Sequence, residues 1–212
     1  MFKILTSLIV TMALLTTILL AAEVDEIIEN VQDTYDDMEN LTATFKQIEM
    51  FKLTGSKTEM TGKIYVADGI KYRFESDDQV IVTDGKTIWS YNRLNNQVMI
   101  DHVKENSSAL LPRDLLFKYP KTHYATLLGE EEWKDKEVYI VKLDSKEDVH
   151  GYVKSVKLWI DKDDWHIWQV KTTDMNNNQT IFKMLQIDTK QSLGQQLFHF
   201  QPDSTMEVMD RR

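Results

Sequence analysis

The side chains best suited to catalysis or metal binding are five histidines and one acidic run. The histidines have no metal-ligand spacing such as H-x-x-x-H, so each is expected to be a surface or strand residue: His102, His123, His150, His166 and His199. The run "DKDD", residues 161–164, could bind a cation, but the alternating ligands of an EF-hand loop are missing. We interpret it as a polar turn between two Trp-bearing strands.

Motifs for nucleophilic or nucleotide chemistry are also missing. The chain has no G-x-S-x-G elbow, no Gly-rich phosphate loop and no Rossmann fingerprint, and it contains only seven glycines. It contains no cysteine, which excludes disulfides, cysteine-based metal sites and lipid modification of the chain itself. We therefore predict a protein that is not an enzyme and needs no metal or cofactor. An exported hydrolase stays as an alternative that would require an unrecognised reactive group.

The N-terminal residues indicate where the protein is located, and its net charge limits which partners it can bind. Lys3 precedes an uncharged run from Ile4 to Ala22 that ends in small residues, which is typical of a secretory signal peptide. We predict a signal peptide over residues 1–22, export to the periplasm and a single domain over residues 23–212; an uncleaved anchor is the alternative. The formal net charge of −9 argues against nucleic-acid binding.

The remaining chain alternates between one helical pattern and many strand patterns. "EVDEIIENVQDTYDDMENL" has apolar residues at helical spacing and predicts an amphipathic helix that covers one side of a sheet. From Leu41 onward, about ten or eleven short segments rich in β-branched and aromatic residues predict an antiparallel meander. The segment "KENSSALLPRDLLFKYP", residues 104–120, interrupts the meander and predicts one or two short helices with an apolar face.

Several predicted strands are apolar on both faces. In "EVYIVKL", Val138 and Ile140 point one way while Tyr139 and Val141 point the other. A solvated sheet would alternate apolar with polar residues, so both sides of this sheet need a cover or an interior. An enclosed apolar interior and a packed sandwich both satisfy this pattern.

These features together resemble the LolA family of periplasmic lipoprotein carriers over essentially the whole predicted domain. The similar segments are the helix leading into "LTATFKQ", the "GKIYV" strand and "VTDGKTIWSYNRLNNQV". The last of these follows the family pattern S-D-G-x-x-[LI]-W-x-Y-x-x-x-x-x-Q-[VA], with Thr83 in place of the Ser. The Leu-rich insertion and the ending "FHFQPDSTMEV" resemble the family as well, with Asp203 where the family has a second Pro.

The resemblance implies an α+β, mostly β fold. We expect an unclosed antiparallel β-barrel of about ten or eleven strands, with the N-terminal helix and a short helical lid enclosing an apolar cavity. It implies a carrier without cofactor that receives acylated lipoproteins from an inner-membrane ABC release complex and delivers them to an outer-membrane acceptor. We expect the carrier to be a monomer.

The same resemblance suggests candidate cavity residues, with ordinary core packing as the alternative for each. They are Ile64, Val66, Tyr72, Phe74, Trp89, Tyr91, Met99, Trp159, Trp168 and Phe182. Trp89 and Tyr91 are expected to face either the cavity or the packed side. The lid candidates are Leu110, Leu111, Leu115, Leu116 and Phe117.

One position departs from the family pattern. LolA proteins usually carry Arg-Pro after the second strand, where the Arg latches the lid, but this chain has Asp68-Gly69 there. Arg113 lies in the lid segment, which suggests a reversed latch between Asp68 and Arg113. The departure also keeps an alternative open: a periplasmic carrier or sensor of phospholipid, glycolipid or lipopolysaccharide on the same fold. A purely structural envelope protein is the last alternative.

Overall fold

The main feature of the computed structural model, which describes residues 23–103, 123–146 and 152–212, is a single twelve-stranded sheet. Helix α1 covers residues 23–36. The strands are β1 (Asn40–Met50), β2 (Lys57–Ala67), β3 (Lys71–Ser76), β4 (Gln79–Thr83), β5 (Thr87–Asn92), β6 (Gln97–His102), β7 (His123–Trp133), β8 (Lys136–Ser145), β9 (Val153–Asp161), β10 (Ile167–Asp174), β11 (Gln179–Asp188) and β12 (Glu207–Asp210).

The strand order is β12-β6-β5-β4-β3-β2-β1-β11-β10-β9-β8-β7, so the sheet is unclosed, with β12 and β7 at its edges. Strands β1 to β6 pair consecutively as antiparallel neighbours, and so do strands β7 to β11. Strand β1 joins these two halves by pairing with β11, and β12 pairs with β6. The predicted mostly β fold, with an N-terminal helix and a large unclosed sheet, is confirmed. The described residues contain more strands than the ten or eleven expected, and β12 runs parallel to β6.

Helix α1 packs on one face of the sheet, as its sequence pattern predicted. Val24, Ile27 and Val31 recur at helical spacing and are 4%, 3% and 1% exposed. They pack on buried residues of β8, β9 and β10, among them Val141 and Leu158. We call this side of the sheet the helix face, and the other side the far face.

The C-terminal segment covers part of the far face. After a 3-10 turn at Gln195–Phe198, Phe200 and Met206 pack against a cluster formed by Val80, Val82, Trp89, Val98 and Ile100. Phe198 is 1% exposed. Arg73 donates a hydrogen bond from its guanidinium to the carbonyl oxygen of Leu197 at 3.3 Å, which ties the segment to β3. The chain then forms β12 beside β6.

Gly62 marks the centre of the sheet, where the packing leaves no room for a side chain. It lies opposite Phe45 on β1, whose ring stacks on Phe74 of β3 at a centroid distance of 5.0 Å. A Cβ atom at Gly62 would lie 2.3 Å from the carbonyl oxygen of Glu75 and 2.6 Å from the Phe45 ring. Glycine is therefore required here because the Phe45 ring and the β3 backbone occupy the space.

We predict that Gly62→Ala lowers the free energy of unfolding by about 1–3 kcal/mol, because the backbone or the Phe45 ring must move. Gly194→Ala is the matched control, since its Cβ would meet only the flexible end of the Gln196 side chain. Denaturant unfolding of both variants measures the difference. Equal unfolding midpoints would contradict the steric account.

Candidate functional site

The histidines and carboxylates do not converge on a common site in the described chain. In residues 23–103, 123–146 and 152–212, no three His, Asp or Glu side chains come close enough to hold a metal ion. His199 lies with its ring edge against Trp89, at a centroid distance of 4.8 Å, and His166 contacts Asp164. His150 lies outside the described residues. The His199 contact is therefore one of packing, and the His166 contact belongs to a polar turn.

The "DKDD" run forms the turn between β9 and β10, which confirms the sequence interpretation. The Asp161 side chain is fully buried and accepts hydrogen bonds from Lys136, from the Trp168 indole at 3.0 Å and from the backbone N–H of Asp163 at 2.9 Å. Burial alone would raise the pKa of Asp161, but these donors hold it below its usual value of 3.8. Asp161 thus serves to fix the turn and the neighbouring indole.

Strand pairing places six of the ten candidate cavity residues on the helix face. They are Ile64, Val66, Tyr72, Phe74, Met99 and Phe182. Ile64, Phe74 and Ile81 lie side by side on successive strands. Phe182 pairs with Val170 in the core beneath α1 and contacts Phe45 at a centroid distance of 5.9 Å. An apolar row therefore runs from the helix core across the sheet to Ile81 on β4, and Met99 on β6 lies beyond Ser90.

The other four candidates, Trp89, Tyr91, Trp159 and Trp168, lie on the far face. Trp89 and Tyr91 pack beneath the C-terminal segment, where the Tyr91 ring lies 5.3 Å from the Phe200 ring. Trp159 and Trp168 join Val138, Ile140 and Trp133 in a separate cluster. These four rings therefore share no surface with the other six, and they do not belong to the candidate site.

The candidate site is the part of the helix face that α1 leaves free. Its half-buried apolar side chains are Met60, Ile64, Val66, Phe74, Ile81, Ile88, Met99, Phe182 and Met184, whereas Phe45 and Tyr72 on the same face are buried. We call the half-buried set the lining surface. Sequence reasoning missed Met60, Ile81, Ile88 and Met184. The alternation of faces along each predicted strand was the signal that could have found them.

The end of α1 borders the lining surface. A small cleft of about 30 Å³ lies there, lined by Tyr35, Met38, Leu41, Val66 and Gly69. The Tyr35 hydroxyl accepts a hydrogen bond from the backbone N–H of Ile167 at 3.2 Å. Burial raises the pKa of Tyr35 to about 12, despite that hydrogen bond and with a further contribution from Asp164. None of the five residues that line this cleft therefore carries a charge near neutral pH.

The model of the outer membrane lipoprotein carrier protein LolA matches residues 36–201. The chain belongs to the LolA family. An uncharacterized protein of Methanocaldococcus jannaschii is 25% identical over 144 residues, which cover 66% of this chain and 42% of that protein. The chain thus spans less than half the length of this relative.

Solved structures share the fold at low sequence identity. An uncharacterized conserved protein from Thermus thermophilus is similar with a TM-score of 0.60 and 16% identity, covering 88% of this chain and 98% of that chain. The crystal structure of MucB is similar with a TM-score of 0.54 and 15% identity, covering 88% of this chain and 65% of that chain. At these identities the likeness concerns the fold alone.

The departure of this chain from the LolA pattern has a local structural consequence. Asp68 lies in the β2–β3 turn with φ +53° and forms an ion pair with Lys71 at 2.7 Å. Lys71 also donates to the Gln195 side chain at 2.7 Å, so this lysine links the turn to the C-terminal segment. Arg113 and the five lid candidates lie outside the described residues, and the Asp68–Arg113 latch stays a prediction.

No described helix of this LolA-family chain has both the length and the apolar character to cross a membrane. The only α-helix in residues 23–103, 123–146 and 152–212 is α1, which has an acidic outer side.

We predict that Asp161→Asn lowers the free energy of unfolding at pH 7 by about 1–3 kcal/mol, because Lys136 loses a buried ionised partner. The pKa of Asp161 is lower in the folded state than the value of 3.8 expected in the unfolded chain. The ionised carboxylate therefore stabilises the fold at pH values above 3.8, and this stabilisation is lost as the pH falls through the folded-state pKa. The difference in free energy of unfolding between Asp161→Asn and the wild type should therefore become smaller below about pH 4. Denaturant unfolding at pH 7 and pH 3 measures this difference. The same difference at both pH values would contradict the role of Asp161 as an ionised partner of Lys136.

Proposed function

We propose that this protein is a periplasmic carrier that binds the acyl chains of lipoproteins on the lining surface and moves them from the inner to the outer membrane. The observation that supports this function best is a contiguous, half-buried apolar surface on the free part of the helix face, in a chain of the LolA family. Its Met and aromatic side chains suit an irregular, flexible ligand. The function requires binding and release, with no bond chemistry.

The proposed location and partners follow from the same family. Residues 1–22 would act as the export signal. An inner-membrane ABC release complex would load the carrier, and an outer-membrane acceptor would unload it. The segment at residues 104–120, with Leu110, Leu111, Leu115, Leu116 and Phe117, would supply the lid over the lining surface.

A related carrier or sensor of phospholipid, glycolipid or lipopolysaccharide is the second candidate. The observation that favours it is Asp68, which occupies the usual position of the latching Arg and pairs with Lys71. A chain without the family latch could serve a different acyl ligand on the same apolar surface.

Mass spectrometry of material that co-purifies with the protein from its native envelope tests the cargo. We expect triacylated lipoproteins. Recovery of free phospholipid or glycolipid alone would contradict lipoprotein transport and support the second candidate.

We predict that Ile81→Ser weakens the binding of a fluorescent fatty acid about fivefold, because the substitution removes part of one apolar contact from the lining surface. Ile181→Ser is the matched control: the same change at a half-buried isoleucine on the far face, paired with Ile48. Fluorescence titration of both variants gives the dissociation constants. Equal weakening in the two variants would argue against ligand binding on the helix face.

A further inference from the structure

Exposed apolar side chains gather at one end of the sheet, away from the lining surface. Leu53 and Phe51, in the turn between β1 and β2, are 97% and 40% exposed. Met175, in the turn between β10 and β11, is 62% exposed, and Tyr152, just before β9, is 69% exposed. We call these four residues the apolar tip. Isolated exposed apolar residues are ordinary on a protein surface, but a contiguous group marks an interaction site.

Hydrogen bonds hold the segments of the apolar tip together. The backbone N–H of Lys52 donates to the Asn178 side-chain oxygen at 3.0 Å, which joins the β1–β2 turn to the β10–β11 turn. The backbone N–H of Met175 donates to the carbonyl oxygen of Tyr152 at 3.1 Å. The four apolar side chains are thus carried on one connected set of turns, although they come from three distant parts of the chain.

Asp174 organises the second turn from within. Its carboxylate accepts hydrogen bonds from the backbone N–H groups of Asn176 and Asn178, both at 2.8 Å, and from the Tyr152 hydroxyl at 2.7 Å. Asp174 is 8% exposed. Its charge therefore faces inward, and the turn presents Met175 and the ring of Tyr152 to the outside.

The charges of the tip differ from those of the rest of the chain. Residues 50–58 contain Lys52 and Lys57 and no acidic residue, and residues 175–178 are uncharged. The protein as a whole has a net charge of −9, and residues 23–39 alone contain eight acidic and no basic side chains. Lys57 is partly neutralised by Glu59, whereas Lys52 lies between the two exposed residues Phe51 and Leu53.

We infer that the apolar tip docks on the surface of a phospholipid bilayer. Leucine and phenylalanine side chains on a turn can enter the boundary between headgroups and acyl chains, and tyrosine is favoured at that depth. Lysine keeps its charged end among the lipid phosphates while its stem lies along the apolar layer. The combination of Phe51, Lys52 and Leu53 on a protruding turn fits this surface. Docking would bring the carrier to a membrane independently of the cargo that it binds.

Sedimentation with vesicles of phosphatidylethanolamine and phosphatidylglycerol tests the inference on the protein purified from its native envelope. We expect Leu53→Ser to weaken vesicle binding about tenfold, because a fully exposed side chain loses its burial in lipid. Lys52→Gln should weaken it about fivefold. At 97% exposure, Leu53 contributes little to folding, so the Leu53→Ser variant should unfold at the wild-type midpoint.

Ile70→Ser is the matched control, since Ile70 is 51% exposed in the β2–β3 turn at the opposite end of the strands. It should bind vesicles like the wild type. The inference is overturned if the wild type stays in the supernatant, if Leu53→Ser binds unchanged, or if Ile70→Ser loses as much binding. The Ile81→Ser variant separates docking from cargo binding: loss of vesicle binding there would assign the association to acyl uptake on the lining surface and would also overturn the inference.

Discussion

The structure depends on one constraint: the sheet is apolar on both faces, so the chain must cover both. Helix α1 covers β8 to β10 on the helix face, and the C-terminal segment covers β3 to β6 on the far face. The two covers lie over different halves of the sheet and on opposite sides. What remains is the helix face of β1 to β6 and of β11, where the lining surface is half-buried while Phe45 and Tyr72 are buried. The candidate site is thus the part of an apolar face that the described covers leave free.

The far face of the other half is protected in a different way. Trp133, Trp159 and Trp168 pack together there, and lysine side chains lie over their rings. Lys157 lies 4.6 Å from the Trp159 ring centroid, and Lys136 lies 5.4 Å from that of Trp168. Such lysines extend their apolar stems along the rings and keep the charge in water. The basic side chains of this face contrast with the acidic outer side of α1, so the charge of the molecule is unevenly distributed.

Local pattern was sufficient to predict the helix, most strands and the two-sided apolar character. It was insufficient to assign faces, because alternation shows which residues share a side but not which side receives the helix. Trp89 and Tyr91 illustrate the difference: their burial depends on a segment more than a hundred residues later in the chain. Strand β12 escaped prediction because its four residues are all exposed and its pairing with β6 comes from backbone hydrogen bonds rather than apolar contacts.

The free part of the helix face also bears on how a carrier could release its ligand. Moving an acyl chain from a bilayer into water costs about 0.8 kcal/mol per methylene, so a carrier surface must offset most of that cost. A surface that bound much more tightly than the bilayer would prevent delivery. Asp68 pairs with Lys71 within its own turn, and an exposed pair of this kind contributes little to stability. In the proposed carrier, an arginine latch would oppose opening of a lid, whereas an Asp68 that pairs only within its own turn would leave the apolar contacts to set the balance between binding and release.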